Sequence, residues 1–166
     1  GGGGGGGGGP RSSDLSRLTR HIYTDQEVRE LLEHAGQLTP RGTLRPLTYR
    51  TLFGLIAAVG LRLSETLKLL VADVDLPGAT LTVRQTKFHK SRLVPLHASV
   101  VQALSDYRLV RDRDADPGVG APFFVSGNGG MLPVRTVENV FDRMRPRLGW
   151  QSRGDYANPR IHDLRH

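Results

Sequence analysis

Gly60-Leu61-Arg62-Leu63-Ser64-Glu65 stands at a joint in the chain. The apolar run Leu52-Phe53-Gly54-Leu55-Ile56-Ala57-Ala58-Val59 leads into it, and the helical pattern Leu67-Lys68-Leu69-Leu70 leads out. An arginine between two core elements is costly to bury unless it meets an anion. Two readings are open at this point. Either Glu65, three residues on, is that anion and the pair is structural, or Arg62 is held ready for an external anion such as phosphate.

Working back from the joint, Pro46 to Val59 predicts a buried helix, and Gly36 to Arg45, with Pro40 and Gly42, separates it from an earlier one. That earlier helix opens at Thr24, with Glu27 at the capping-box spacing and Val28, Leu31 and Leu32 on one face. Working forward, Leu63 to Leu70 predicts a short third helix. The period then changes to alternation: Asp73 to Leu76, the turn signal Pro77-Gly78, Thr80 to Thr86, and Arg92 to Leu96. These predict three antiparallel strands, with Pro95 suited to an edge or a strand end. His97 to Val110 predicts an amphipathic helix with Val100, Leu104 and Tyr107 inward, followed by a polar loop from Arg111 to Ala121. Phe123-Phe124-Val125 reads as a buried extended segment, and Gly127-Asn128-Gly129-Gly130 as a turn without the strand-to-helix context of a phosphate loop. Pro133 to Arg145 predicts a last helix, buried through Val137, Val140, Phe141 and Met144 and ended by Pro146. Gly149 to Arg160 reads as loop, and Ile161 to His166 as the opening of a further helix. The predicted fold is mainly α with a small three-stranded antiparallel β-sheet, an α+β domain.

The 166 residues suffice for one domain with a core. Lys plus Arg outnumber Asp plus Glu by 23 to 16, a formal charge of +7 that favours a polyanionic partner, nucleic acid first. There is no cysteine, hence no disulfide, thiolate metal site or cysteine nucleophile, as suits the cytoplasm. No apolar run approaches the roughly 18 residues of a membrane span, and nothing resembles a signal peptide. Gly1 to Gly9 have no side chains to bury. Residues 1–13 are expected to be a disordered leader or an artefact, 14–23 a linker, and 24–166 the folded domain.

Two further clusters bear chemistry. His162, Arg165 and His166 form an H-x-x-R-H box, and on a helix positions three and four apart share a face. An imidazole beside a guanidinium suits phosphate binding and proton transfer. The same spacing admits zinc between His162 and His166, without the glutamate of H-E-x-x-H or a third ligand; it also admits a solvated helix end. The hairpin tip Thr86-Lys87-Phe88-His89-Lys90-Ser91-Arg92 concentrates charge on a ribbon. Such a ribbon fits a DNA backbone, and its lysine can protonate a leaving oxygen. It also fits a sheet edge protected by lysines.

Taken together, G-L-R-x-S-E, the hairpin T-K, R-L-V-P-L and H-D-L-R-H, in that order over Tyr23 to His166, resemble the catalytic domain of tyrosine recombinases, the phage integrase family. The resemblance implies site-specific DNA recombination through a 3′-phosphotyrosyl intermediate on double-stranded DNA, by a homotetramer when full length, with no metal or other cofactor. It implies that Arg62 and Arg165 grip the scissile phosphate and that Lys87 is the general acid, with Lys90 the nearest competitor. It makes His162 a proton-transfer aid, and Glu65 and His166 supporting residues. Arg84, His89, Lys90 and Arg92 would contact DNA.

The family's tyrosine lies well beyond the H-x-x-R box, whereas Tyr23, Tyr49, Tyr107 and Tyr156 all precede the end of that box here. None matches the nucleophile. The chain reads as a domain truncated before it and as inactive for strand cleavage alone, with a separate N-terminal DNA-clamping domain also missing. A non-catalytic DNA-binding remnant of a mobile element and a type IB topoisomerase-like enzyme are the rival readings.

Overall fold

The structure, a computed structural model, describes residues 23–85, 90–147 and 161–164. The expected leader, the linker residues 14–22, residues 86–89 of the expected hairpin tip and the expected loop Gly149 to Arg160 lie outside the described residues, as do Leu148 and the last two residues. The described fold is mainly helical with one three-stranded antiparallel sheet, as predicted.

Helix α1 (Asp25–Ala35) begins at the expected capping box. Thr24 Oγ1 accepts the Glu27 N–H at 3.1 Å, and Glu27 Oε1 accepts the Thr24 N–H at 3.0 Å, so two orphan donors are satisfied reciprocally. Helix α2 (Arg45–Val59) is the spine. It buries Thr48, Tyr49, Thr51, Leu52, Phe53, Leu55 and Ile56, residues that lie on more than one side of a helix. Helices α1, α3 (Leu63–Leu67) and α4 (Ala98–Asp114) and a short turn at Ile161–Leu164 all pack against it. Helix α5 (Val134–Arg147) closes the core against α1 and α3, burying the predicted Val137, Val140, Phe141 and Met144. Phe141 meets Phe53 edge-on at 5.8 Å between ring centroids, and Tyr23 lies edge-on to Phe141 at 6.5 Å.

The sheet has the order β1 (Val74–Asp75), β2 (Thr80–Gln85), β3 (Lys90–Pro95). Leu81 and Val83 of the central strand are fully buried, and β3 is an edge that ends at Pro95, where a missing N–H is harmless. In register, Val83 faces Arg92 and Arg84 faces Ser91.

Boundaries differ from the sequence expectation at the last strand, which begins at Lys90 rather than Arg92 and so takes in the end of the expected hairpin tip, and at three helices. The third helix stops at Leu67, because the chain turns extended at Leu70 and pairs with Ala121 to Phe123 before a 3-10 turn at Val71–Asp73; Phe123 N donates to Leu69 O and Val71 N to Ala121 O, both at 2.9 Å. Helix α4 runs on through Arg111 to Asp114 rather than ending at Val110. Arg111, assigned to a polar loop for its charge, is wholly buried, and its guanidinium donates to Asp112, to Asp116 O at 2.9 Å and to Pro122 O at 3.1 Å. Helix α5 continues one residue past Pro146. A proline in a last turn removes one terminal hydrogen bond and leaves the interior ladder intact.

Candidate active site

The joint at Gly60 is built from the backbone outward. Gly60 adopts φ 81° and ψ 26°, the left-handed conformation that ends α2, and its N–H donates to Ile56 O at 2.9 Å. Leu61 is buried, and Arg62 then turns to extended backbone at φ −73° and ψ 148° as the residue preceding α3. Both peptide groups of Arg62 are held. Its N–H donates to Glu65 Oε1 at 3.0 Å, and its carbonyl accepts from Thr66 N at 3.0 Å and Thr66 Oγ1 at 2.8 Å. The residue itself is exposed. Arg62 is therefore rooted through its backbone while its side chain faces solvent, not buried as the joint between two apolar runs suggested.

The charged partner of Glu65 is Arg92 of β3. Arg92 Nη1 lies 3.1 Å from Glu65 Oε2 and Nη2 3.5 Å from Oε1. Burial pushes the Glu65 carboxyl up. The hydrogen bonds from Arg92 and from the Arg62 N–H, with the charges of both arginines, outweigh it and hold the carboxyl below its ordinary range. Glu65 thus stays ionised at neutral pH and joins β3 to the Arg62 backbone.

A second ion pair ties the sheet to the same region. Arg84 Nη2 lies 3.0 Å from Asp73 Oδ2 and donates to Lys68 O at 2.7 Å, while Asp73 Oδ2 also accepts the Leu70 N–H at 2.9 Å. Of the arginines expected to face DNA, Arg84 and Arg92 are both engaged by carboxylates of the neighbouring segment. Lys90 is exposed at the start of β3. The Ile161–Leu164 turn buries Ile161 and Leu164 and packs on α2, which places His162 on an element docked to the helix that delivers Gly60 to Glu65. Lys87, His89, Arg165 and His166 lie outside the described residues. Sequence reasoning missed the Glu65–Arg92 and Asp73–Arg84 pairs and the buried Arg111, because each joins residues through tertiary contact.

The family model of the phage integrase family matches residues 11–166. The chain belongs to the phage integrase family. It is 40% identical over 154 residues to a protein of Sinorhizobium fredii named integrase/recombinase y4rB, covering 90% of this chain and 49% of that protein. It is 35% identical over 136 residues to tyrosine recombinase XerD of Mycobacterium tuberculosis, covering 80% and 43%. The crystal structure of XerA recombinase matches its fold with a TM-score of 0.68 at 24% identity, covering 88% of this chain and 46% of that one. The chain spans about half the length of the curated relatives it matches.

Three tyrosines of this integrase-family chain are described, and all are core rings: Tyr23, Tyr49 and Tyr107 are buried. Burial pushes the Tyr107 phenol up, opposed by its hydrogen bonds with Thr48 and Val125 N and by the charge of Arg111. A raised phenol pKa is the reverse of nucleophile activation. Tyr156 lies outside the described residues. Among the described residues no group of three or more His, Cys, Asp or Glu could hold a metal, and no helix is long and apolar enough to cross a membrane.

Proposed function

We propose that this chain is the phosphate-activating part of a site-specific DNA recombinase, which cuts and rejoins DNA through a 3′-phosphotyrosyl intermediate. The observation that carries the reading is the presentation of Arg62: a backbone fixed at both peptide groups beneath an exposed side chain. Such a guanidinium is preorganised for the charge that develops on the non-bridging oxygens of a pentacovalent phosphorus. Arg165 is its partner on those oxygens. Lys87 protonates the leaving 5′-oxygen, with Lys90 the alternative, and His162 assists removal of the nucleophile's proton. Glu65 supports Arg62, and His166 supports the phosphate. Two arginines and a lysine supply the electrostatics that a metal would otherwise provide. The partner is double-stranded DNA, gripped by Arg84, His89 and Lys90 in a homotetramer, and the setting is the cytoplasm.

None of Tyr23, Tyr49, Tyr107 and Tyr156 matches the nucleophile, and on this reading the 166-residue chain binds DNA weakly and leaves it uncut. A suicide DNA substrate carrying the cognate site tests both parts. The full-length protein forms a covalent adduct that is lost in Arg62→Ala, and the 166-residue chain forms none. No adduct from the full-length protein would sink the recombinase reading; an adduct from the chain alone would sink the missing-nucleophile reading.

A further inference from the structure

We infer that Arg92 is a positioning residue that acts through Glu65 on the backbone of Arg62, in place of the direct DNA contact expected of it. The inference rests on the reading of Arg62 as a phosphate-gripping arginine.

Residues paired across two strands share a face of the sheet. Arg92 pairs with Val83, which is fully buried, so Arg92 leaves β3 on the core side, while Arg84 and Ser91 pair on the other. From the core side its guanidinium reaches the Glu65 carboxylate across a sequence separation of 27 residues. That carboxylate serves both: Oε2 takes the shorter contact from Arg92, and Oε1 takes the Arg62 N–H at 3.0 Å together with a longer contact from Arg92 at 3.5 Å. The carbonyl of Arg62 is held within its own segment by Thr66. Its N–H is held by a side chain that itself depends on a residue from another element. Removing Arg92 leaves Glu65 a part-buried carboxylate without its salt-bridge partner, and such a carboxylate turns toward water or takes up a proton. The Arg62 N–H then loses its acceptor and the root of the guanidinium loosens. A catalytic group held loosely loses transition-state stabilisation more than ground-state binding. An arginine that contacts a DNA phosphate behaves oppositely: its loss weakens binding and lowers the salt slope by about one.

The test compares Arg92→Gln, Glu65→Ala and the double variant with wild type in the full-length protein. The readouts are DNA affinity against salt, single-turnover cleavage at saturating DNA, and amide hydrogen exchange at Arg62. In Arg92→Gln, cleavage falls about tenfold or more while affinity stays within about threefold and the salt slope is unchanged. The Arg62 amide exchanges about tenfold faster while the amides of α2 stay protected. The double variant is no slower than the slower single one, because the two residues act as a unit. An affinity loss of about tenfold with a reduced salt slope and an unchanged saturated rate would make Arg92 a DNA contact and overturn the inference. So would a cleavage loss that follows a general loss of protection across α2. If wild type cleaves no DNA, the recombinase reading fails separately. The Arg62 amide then decides alone: faster exchange supports the positioning role, and unchanged exchange overturns it.

Discussion

Arg92 Nη1 lies 3.1 Å from Glu65 Oε2, and the other oxygen of that carboxylate accepts the Arg62 N–H at 3.0 Å. The motif that looked like an arginine followed by its own counter-ion is a three-residue arrangement. Glu65 pairs with the sheet through Arg92 and accepts the backbone N–H of Arg62, and the Arg62 side chain remains exposed.

Glu65→Gln separates these two roles, since an amide oxygen can still cap Arg62 but cannot neutralise Arg92. The Glu65 carboxyl is held below its ordinary range in the folded state. Its contribution is therefore complete above the unfolded carboxylate value of about 4.3 and is lost as pH falls through the lower folded value. The variant loses about 0.5–1 kcal/mol at pH 7, an allowance reduced for the partial exposure of the pair. The difference from wild type shrinks below about pH 4. Urea midpoints at neutral and acid pH check this, and a difference that grows on acidification would contradict it.

Gly60→Ala places a Cβ at φ 81°, where L-residues are disfavoured by about 1–2 kcal/mol. A loss of about 1 kcal/mol is expected in denaturant unfolding. Because the strain falls two residues before Arg62, the full-length protein should also lose cleavage rate. Unchanged stability would mean that the turn relaxes at no cost.

Arg111 is wholly buried, with Nε unpartnered among the described residues and its other nitrogens bound to Asp112, Asp116 O and Pro122 O. Arg111→Ala leaves both carbonyls without these donors and opens a cavity, and should cost about 3–5 kcal/mol. Arg111→Met fills the space and removes the orphaned Nε, so its loss should be smaller. Equal losses from the two variants would show that the hydrogen bonds alone matter.

Tyr107 links α4 to α2 and to the Phe123-Phe124-Val125 segment. Its hydroxyl lies 3.0 Å from Thr48 Oγ1 and accepts the Val125 N–H at 3.3 Å, while Thr48 Oγ1 donates to Leu44 O at 3.1 Å. The donor order that uses every proton runs Val125 N–H to Tyr107, Tyr107 O–H to Thr48, and Thr48 O–H to Leu44. Tyr107→Phe orphans the buried Val125 N–H at a loss of about 1–3 kcal/mol. The Tyr107 phenol is raised by burial. Its contribution is therefore intact below the unfolded tyrosine value of about 10 and is lost as pH rises through the folded one. Stability should fall steeply in that alkaline range for wild type and less steeply for Tyr107→Phe.

Local signals in the chain read well where one side chain meets a neighbour three or four residues away. The Thr24–Glu27 capping box, the helical face of Val137, Val140, Phe141 and Met144, and the alternation of Thr80 to Gln85 all appear in the structure. The errors fall where a distant segment intervenes. Arg111 looked like loop because charge predicts exposure, yet loop carbonyls from Asp116 and Pro122 come back to satisfy it. Leu69 and Leu70 looked helical because their partners, near Phe123, are some fifty positions away.

The same division runs through the candidate site. The order of G-L-R-x-S-E, the hairpin and H-D-L-R-H was legible in the sequence, because motif order is a property of the chain alone. The joint at Gly60 was legible too, and the structure makes it a left-handed turn, a conformation that favours glycine on steric grounds. Only the tertiary structure decided whose counter-ion Glu65 is. A carboxylate three residues from one arginine and 27 from another pairs with the one whose guanidinium reaches it. That choice follows from the register that sets Arg92 beside Val83, and so from the packing of the sheet against α3 rather than from any spacing in the chain.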